Sequence, residues 1–233
     1  MDMHAPLDAT EPPEVFARNI AVGARIWAGG IAFFFVSFLF ASIADDATWT
    51  DSVLLLVGCA TLAAAVWTSG FARASSRAIQ ALALAATAVA IVLPITDRNT
   101  LNGVAGIVAG LVLVATIVVI AIGVVDQGEV NIQSVTGAIS IYLLLGMMFV
   151  FFYGAMANLG SGDFFAQGTD GTRSIRLYFS YVTLATLGYG DYTPAGDLGR
   201  TVAVTEALLG QLYLVTVVAV LVARLGHRPR KGQ

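Results

Sequence analysis

Six long apolar runs constrain the fold of this chain more than any other feature. A helix needs about 20 mostly apolar residues to cross the hydrocarbon core of a bilayer, and each run reaches about that length. In lipid, only helices and closed barrels satisfy their backbone hydrogen bonds, and the alternation of apolar and polar residues that a barrel requires is absent. The sequence therefore predicts an all-α membrane protein with six transmembrane helices. The runs are Ile26–Ala44, Ser52–Ala72, Ala78–Thr96, Asn99–Val125, Val130–Gly162 and Thr201–Ala223.

The composition excludes the common classes of soluble protein. Hydrophobic residues make up 58% of the 233 residues and charged residues 12%, whereas soluble domains have about 45–50% and about 25%. With a net charge of −3, the chain has no basic surface for nucleic acid. Its single cysteine, Cys59, cannot form an intrachain disulfide, and the two histidines lie in the terminal segments. We expect no enzymatic activity, no cofactor and no nucleic-acid partner.

The distribution of cations predicts the orientation in the membrane. Most lysine and arginine residues lie near the termini or between the second and third runs, whereas the connection between the first and second runs carries only acidic charges. Since cations of short loops stay on the cytoplasmic side, we expect a multi-pass protein of the plasma membrane with both termini in the cytoplasm. The connection that contains Asp126 and Glu129 departs from this pattern, because it has no cation. The cations used here are Arg18, Arg25, Arg73, Arg77, Arg224, Arg228, Arg230 and Lys231.

Between the fifth and sixth runs lies a segment that is too short to cross. Residues 174–186 are amphipathic, and they lead directly into Thr186–Asp191, which reads TLGYGD. Pro194 then turns the chain toward the sixth run. This pattern predicts a re-entrant helix, the pore helix, followed by extended backbone; the pore helix is expected within residues 174–186. Such backbone is tolerated at membrane depth only where protein buries it or water lines it.

The residue types of this segment suit a dehydrated cation. Gly188 and Gly190 have no Cβ and readily adopt positive φ values, so successive carbonyl oxygens can be turned toward one axis. Thr186 adds a hydroxyl oxygen at the inner end, and the ring of Tyr189 can point outward as a packing support. Because one chain supplies one line of oxygens, a closed cage requires several copies.

The TLGYGD segment resembles the potassium-channel signature T-V-G-Y-G-D, with leucine in place of the commoner valine. The likeness extends without gaps from Tyr178-Phe179, where a tryptophan pair is common, through Pro194 and Gly199-Arg200 to Gly210. It covers roughly residues 130–224, and the first four runs match only in number. The resemblance implies a homotetramer in which one segment of each copy binds permeant K⁺. The implied residues are Thr186, Leu187, Gly188, Tyr189 and Gly190 in the selectivity filter and Asp191 at the outer mouth.

The same resemblance assigns roles to residues of the sixth run. Gly210 falls where many family members have a hinge glycine, and Gln211 faces the central axis. Glu206 lies about 140° away from Gln211 on a helix with 3.6 residues per turn, so it is expected to face the pore helix and support the filter. Val182 stands where some relatives have a glutamate that pairs with the filter aspartate. The cavity and inner gate are predicted to consist of Gln211, Leu214, Val218 and Val222.

These observations predict four regions and one function. The regions are a cytoplasmic tail (1–22), a four-helix bundle (23–125), a pore domain (126–226) and a second cytoplasmic tail (227–233). Steep voltage gating uses about 3–4 charges per subunit, and the fourth run has none. The sequence therefore predicts a potassium-selective channel without steep voltage gating, with its own copies and membrane lipid as partners. Two alternatives stay open: a weakly selective monovalent cation channel, and a non-conducting membrane subunit or sensor that retains the pore fold.

Overall fold

The computed structural model describes residues 35, 38–40, 48–68, 86, 88, 99–126 and 132–226. Within these residues every regular element is a helix, and extended pairing is limited to isolated bridges at Phe165. The prediction of an all-α protein is confirmed for this part of the chain. The helices are α1 (Thr48–Thr68), α2 (Asn99–Asp126), α3 (Ile132–Leu159), α4 (Arg173–Leu184) and α5 (Asp197–Gly226).

Four of the six predicted runs coincide with described helices. α1 covers most of the second run, and α2, α3 and α5 correspond to the fourth, fifth and sixth. α2 and α3 contain stretches of 25 and 26 residues, Thr100–Val124 and Ser134–Leu159, that are long and apolar enough to cross a membrane. The first and third runs lie largely outside the described residues, and the six-span topology remains a prediction.

Helix α3 is central to the packing of the described helices. It packs against α2, α4 and α5, while α1 packs against α2. The core beside α4 includes Phe149 and Tyr153 of α3, Phe179 of α4, and Phe164 and Phe165 of the connection between these two helices. Tyr153 and Phe165 are fully buried. Among the described residues, a buried aromatic cluster therefore borders α4.

Glycines bring α2 and α3 into close contact. A Cβ on Gly106 would lie 2.9 Å from the carbonyl oxygen of Phe151, and a Cβ on Gly110 would overlap the ring of Phe152. The G-x-x-x-G spacing is typical of helices that approach closely in membranes. The two helices therefore meet through a face on which larger side chains would not fit.

Replacing Gly106 with valine should lower the thermal stability of the protein, because the new side chain meets the backbone of α3 rather than a movable side chain. Overpacking of this kind costs about 1–3 kcal/mol, and we expect it to lower the unfolding temperature in detergent. Gly162→Val is the control, since nothing lies within 4 Å of its Cβ position. Equal unfolding temperatures for the two variants would contradict the close contact.

Candidate functional site

Helix α4 positions the candidate site. A helix is predicted within residues 174–186, and the structure has one of 12 residues, Arg173–Leu184. At a rise of 1.5 Å per residue it is about 18 Å long, which is too short to cross a bilayer. Its first turn is capped by Thr172, whose hydroxyl oxygen accepts a hydrogen bond from the Ile175 amide at 3.3 Å. Its buried residues are Arg173, Leu177, Phe179, Ser180, Val182 and Leu184.

The filter segment, Thr186–Gly190, has a backbone whose φ angle alternates in sign. The angle is +57° at its first residue, +56° at Gly188 and +79° at Gly190, and it is not positive at the two residues between them. In an extended strand successive carbonyl groups point to opposite sides, whereas alternation of backbone hand turns them toward the same side. The filter segment can therefore present a row of carbonyl oxygens to one axis.

Thr186 has a strained backbone that the sequence does not predict. A β-branched residue with positive φ is an outlier, and such a conformation costs about 1–3 kcal/mol. The end of α4 holds the strained turn in place. The Thr186 amide donates to the Thr183 carbonyl oxygen at 2.9 Å, and the Leu187 amide donates to the Val182 carbonyl oxygen at 2.9 Å. The inner end of the filter segment is thus fixed to the pore helix.

The two filter glycines are required by conformation and not by space. In one chain, nothing lies within 4 Å of a Cβ built on Gly188 or Gly190. Both residues have positive φ, where a Cβ costs roughly 1–2 kcal/mol because it approaches the following carbonyl oxygen. A larger residue at either position is therefore disfavoured by the positive φ of the backbone and not by contacts with other side chains.

At its outer end, the filter segment is supported by Tyr178 of α4. The ring of Tyr178 stacks on that of Tyr189, with centroids 6.4 Å apart and planes inclined by 11°. The Asp191 carboxylate lies beside the Tyr178 hydroxyl and raises the pKa of that hydroxyl. Asp191 therefore has a partner on the pore helix, although Tyr178 replaces the tryptophan that is common in the resembling family.

Glu206 of α5 is fully buried and joins three helices. The Tyr153 hydroxyl of α3 donates to its Oε2 at 2.5 Å, and Ser180 Oγ of α4 lies 2.5 Å from its Oε1. Ser180 Oγ also lies 2.8 Å from the carbonyl oxygen of Gly146, and its one proton can be donated to one acceptor at a time. A buried carboxyl group is costly unless it is hydrogen-bonded, and here each oxygen has a hydroxyl partner.

The position of Glu206 on its helix predicts contact with α4, and the structure places it there. The sequence gives no indication of Tyr153, which is 53 residues away in the chain. Ser180 could have been noticed as a small polar residue among the mainly apolar buried residues of an amphipathic helix. Val182 lacks the carboxyl group that some relatives have on the pore helix, and in this chain a buried carboxyl group reaches α4 from α5 instead.

Gly210 lies against the end of α4. A Cβ at this position would overlap the carbonyl oxygen of Leu184, so glycine allows α5 to approach the pore helix closely. α5 continues through this position without interruption, from Asp197 to Gly226. The structure thus shows a packing role for Gly210, and its role as a hinge stays a prediction.

The predicted cavity residues lie on α5. Gln211 and Leu214 are exposed in one chain, whereas the side chains of Val218 and Val222 lie outside the described residues. Other apolar side chains of α5 are also exposed, and exposed apolar areas commonly mark contacts with protein or membrane. These side chains, all more than half exposed, are Leu198, Val204, Leu208, Leu212 and Val215.

Comparison with known families identifies the part of the chain that carries this site. The sequence profile of a family described as "Ion channel" matches residues 137–227. The match runs from the first turns of α3 to the end of α5, and it includes the filter segment and Glu206. No solved structure matches the chain.

Three curated proteins are similar to parts of the chain. "Inward rectifier potassium channel Kirbac3.1" of Paramagnetospirillum magnetotacticum is 35% identical over 103 residues, which cover 44% of this chain and 32% of that protein. "Probable potassium channel protein 2" of Methanocaldococcus jannaschii is 46% identical over 46 residues, or 18% and 13% of the two chains. "Protein LctB" of Geobacillus stearothermophilus is 50% identical over 42 residues, or 18% and 31%. The chain matches about a third or less of the length of each of these relatives.

Proposed function

We propose that this chain, which belongs to the potassium channel superfamily, forms a potassium-selective channel that conducts K⁺ passively across the plasma membrane. The observation that carries the proposal is the alternating backbone hand of Thr186–Gly190. Carbonyl oxygens turned to one side replace the hydration shell of K⁺ in known potassium filters. Ions would move down their electrochemical gradient, and this process requires no catalytic group and no cofactor.

The proposed assembly is a homotetramer around the filter. One chain contributes a single line of oxygens, and four such loops form the rings described for potassium filters. Two features of the chain support this assembly. The filter segment is exposed in one chain, and Leu208, Leu212 and Val215 of α5 are each more than half exposed. The N- and C-termini are proposed to lie in the cytoplasm, as the distribution of cations predicts.

A flux assay tests the proposed conduction. Purified protein is reconstituted into liposomes loaded with K⁺ and diluted into Na⁺, and K⁺ efflux is followed by proton uptake with a protonophore and a pH-sensitive dye. We expect rapid proton uptake into K⁺-loaded vesicles and no proton uptake into Na⁺-loaded vesicles diluted into a large organic cation. Uptake from both would support the weakly selective channel instead, and uptake from neither would support the non-conducting subunit.

External tetraethylammonium should block this channel weakly. Tight block by a quaternary ammonium ion requires aromatic faces at the mouth, and Thr193, two residues after Asp191, is exposed and carries no ring. Tyr192 is half-buried, and its ring lies 5.2 Å from that of Phe165. Thr193→Tyr should therefore tighten the block by about tenfold or more, as measured in single-channel recordings.

The control for this experiment is Tyr192→Phe, which keeps the ring and should leave block unchanged. Tight block of the unmodified channel would contradict the placement of Tyr192 away from the mouth.

A further inference from the structure

The chain just after the filter is paired with the loop that precedes α4. We call residues 160–172 the turret and residues 192–195 the exit segment. Phe165 of the turret and Pro194 of the exit segment form an antiparallel bridge. On either side of it, the Ala166 amide donates to the Thr193 carbonyl oxygen at 2.8 Å, and the Ala195 amide donates to the Phe164 carbonyl oxygen at 2.9 Å. The turret therefore contacts the exit segment through backbone bonds on both sides of the bridge.

A side chain of the turret completes this pairing. Gln167 Oε1 accepts a hydrogen bond from the Thr193 amide at 3.2 Å. Because Ala166 already binds the Thr193 carbonyl oxygen, both backbone polar groups of Thr193 are bound by the turret. Asp191 lies at the outer mouth, and Thr193 comes two residues after it. The turret therefore holds the chain at the point where it leaves the filter.

The turret is in turn anchored to the protein core. Phe165 is fully buried, and its ring makes edge contacts with those of Phe164, Phe179 and Tyr192 at 4.8, 5.3 and 5.2 Å. Phe179 belongs to α4, and the ring of Tyr192 belongs to the exit segment. The aromatic cluster thus gives the turret a fixed position relative to both the pore helix and the exit.

The turret also holds its own shape through internal bonds. The Phe165 amide donates to the Thr169 carbonyl oxygen at 3.0 Å, and the Phe164 amide donates to Asp170 Oδ1 at 2.9 Å. Gly171 has a φ of +68°, and a Cβ on it would lie 2.7 Å from the ring of Phe165. The turret is therefore an ordered loop whose own hydrogen bonds and packing fix its conformation.

We infer that Gln167 is a positioning residue of the filter: it holds the Thr193 amide and thereby keeps the outer end of the carbonyl row in its conducting geometry. This inference rests on the proposed function. The inner end of the filter segment is held by backbone hydrogen bonds to the end of α4, and nearer its outer end the ring of Tyr189 stacks on Tyr178. Gln167 adds a constraint at Thr193, three residues beyond Gly190, where the alternation of backbone hand ends.

Gln167→Leu tests this role, because leucine has a similar size and no acceptor. Gln167 is exposed, so the variant is expected to fold and assemble with an unchanged unfolding temperature. Currents in planar bilayers with low external K⁺ should decay roughly threefold or more faster than in the unmodified channel, since each subunit loses one hydrogen bond. The K⁺ over Na⁺ permeability ratio should fall as well. Loss of a merely structural contact would lower the unfolding temperature and leave both electrical readouts unchanged.

Three further variants separate the hydrogen-bond acceptor from side-chain size and charge. Gln167→Glu keeps the Oε1 acceptor, so it should restore the slow decay and the permeability ratio. Ser161→Leu and Ser161→Glu make the corresponding changes at another exposed position of the turret, and they should have no effect on either readout. A decay in Gln167→Leu equal to that of the unmodified channel would overturn the inference, as would a fast decay in Gln167→Glu.

A measurement without current distinguishes this inference from the proposed function. Exchange of the Thr193 amide with solvent, followed by nuclear magnetic resonance in detergent, should be faster in Gln167→Leu than in the unmodified protein and in Gln167→Glu. Equal exchange in all three would overturn the contact even if the channel conducts. Absence of current from the unmodified protein, together with the expected exchange pattern, would overturn the proposed function alone.

Discussion

Replacing Gly188 with alanine should abolish potassium current while the protein still reaches the membrane. Gly188 has a φ of +56° in the middle of the alternating filter backbone. A Cβ in this region costs roughly 1–2 kcal/mol, and in a tetramer the cost arises four times around one ring. The backbone is expected to leave the left-handed region, and the carbonyl oxygens then no longer face one axis. Single-channel recording after surface labelling measures both the current and the amount of channel.

The matched control for Gly188→Ala is Gly196→Ala. Gly196 lies after the exit segment, has no positive φ, and has nothing within 4 Å of its Cβ position. We expect this variant to conduct as the unmodified channel does. Unchanged potassium current in Gly188→Ala would contradict the assignment of the filter.

Replacing Glu206 with leucine should remove both conduction and part of the stability. The change leaves the buried Tyr153 hydroxyl without the carboxyl oxygen that it contacts at 2.5 Å, whereas Ser180 Oγ can still donate to the Gly146 carbonyl oxygen. An unsatisfied buried polar group costs about 1–3 kcal/mol. The hydrogen bond between α5 and Ser180 of the pore helix is lost at the same time. We expect a lower unfolding temperature in detergent and little or no flux in liposomes.

Glu206→Gln is the control that retains the geometry. The amide oxygen can accept from the Tyr153 hydroxyl, and the amide nitrogen can donate to Ser180 Oγ, which can then donate to the Gly146 carbonyl oxygen 2.8 Å away. We expect this variant to keep most of the stability and flux. If Glu206→Leu matched Glu206→Gln in both measurements, the buried carboxyl group would not support the filter.

Local signals in the sequence predicted the centre of the site, because its chemistry is concentrated in consecutive residues. Glycines at two alternating positions indicate a backbone with positive φ, and the structure has positive φ at Gly188 and Gly190. The position of Glu206 could also be predicted, since helical geometry fixes its angle relative to Gln211. Each of these inferences uses only the spacing of residues within one helix or one short segment.

The surroundings of the site could not be predicted in this way, because they depend on contacts between distant parts of the chain. Tyr153 meets Glu206 across 53 residues, and Gln167 meets Thr193 across 26. Neither pair has a periodic pattern or a spacing that marks it. The positive φ of Thr186 opposes the preference of a β-branched residue, so local propensity predicts the opposite conformation. The first and third apolar runs, and the side chains of Val218 and Val222, stay predictions.

The reversal potential of the purified protein in a planar bilayer is the direct test of potassium selectivity. With K⁺ on one side and Na⁺ on the other, we expect a zero-current potential far toward the K⁺ equilibrium potential. With a tenfold K⁺ gradient in otherwise symmetrical solutions, we expect a reversal potential of about 59 mV, the equilibrium potential of an ion with one charge at 25 °C. A reversal potential near zero under opposing K⁺ and Na⁺ would contradict potassium selectivity.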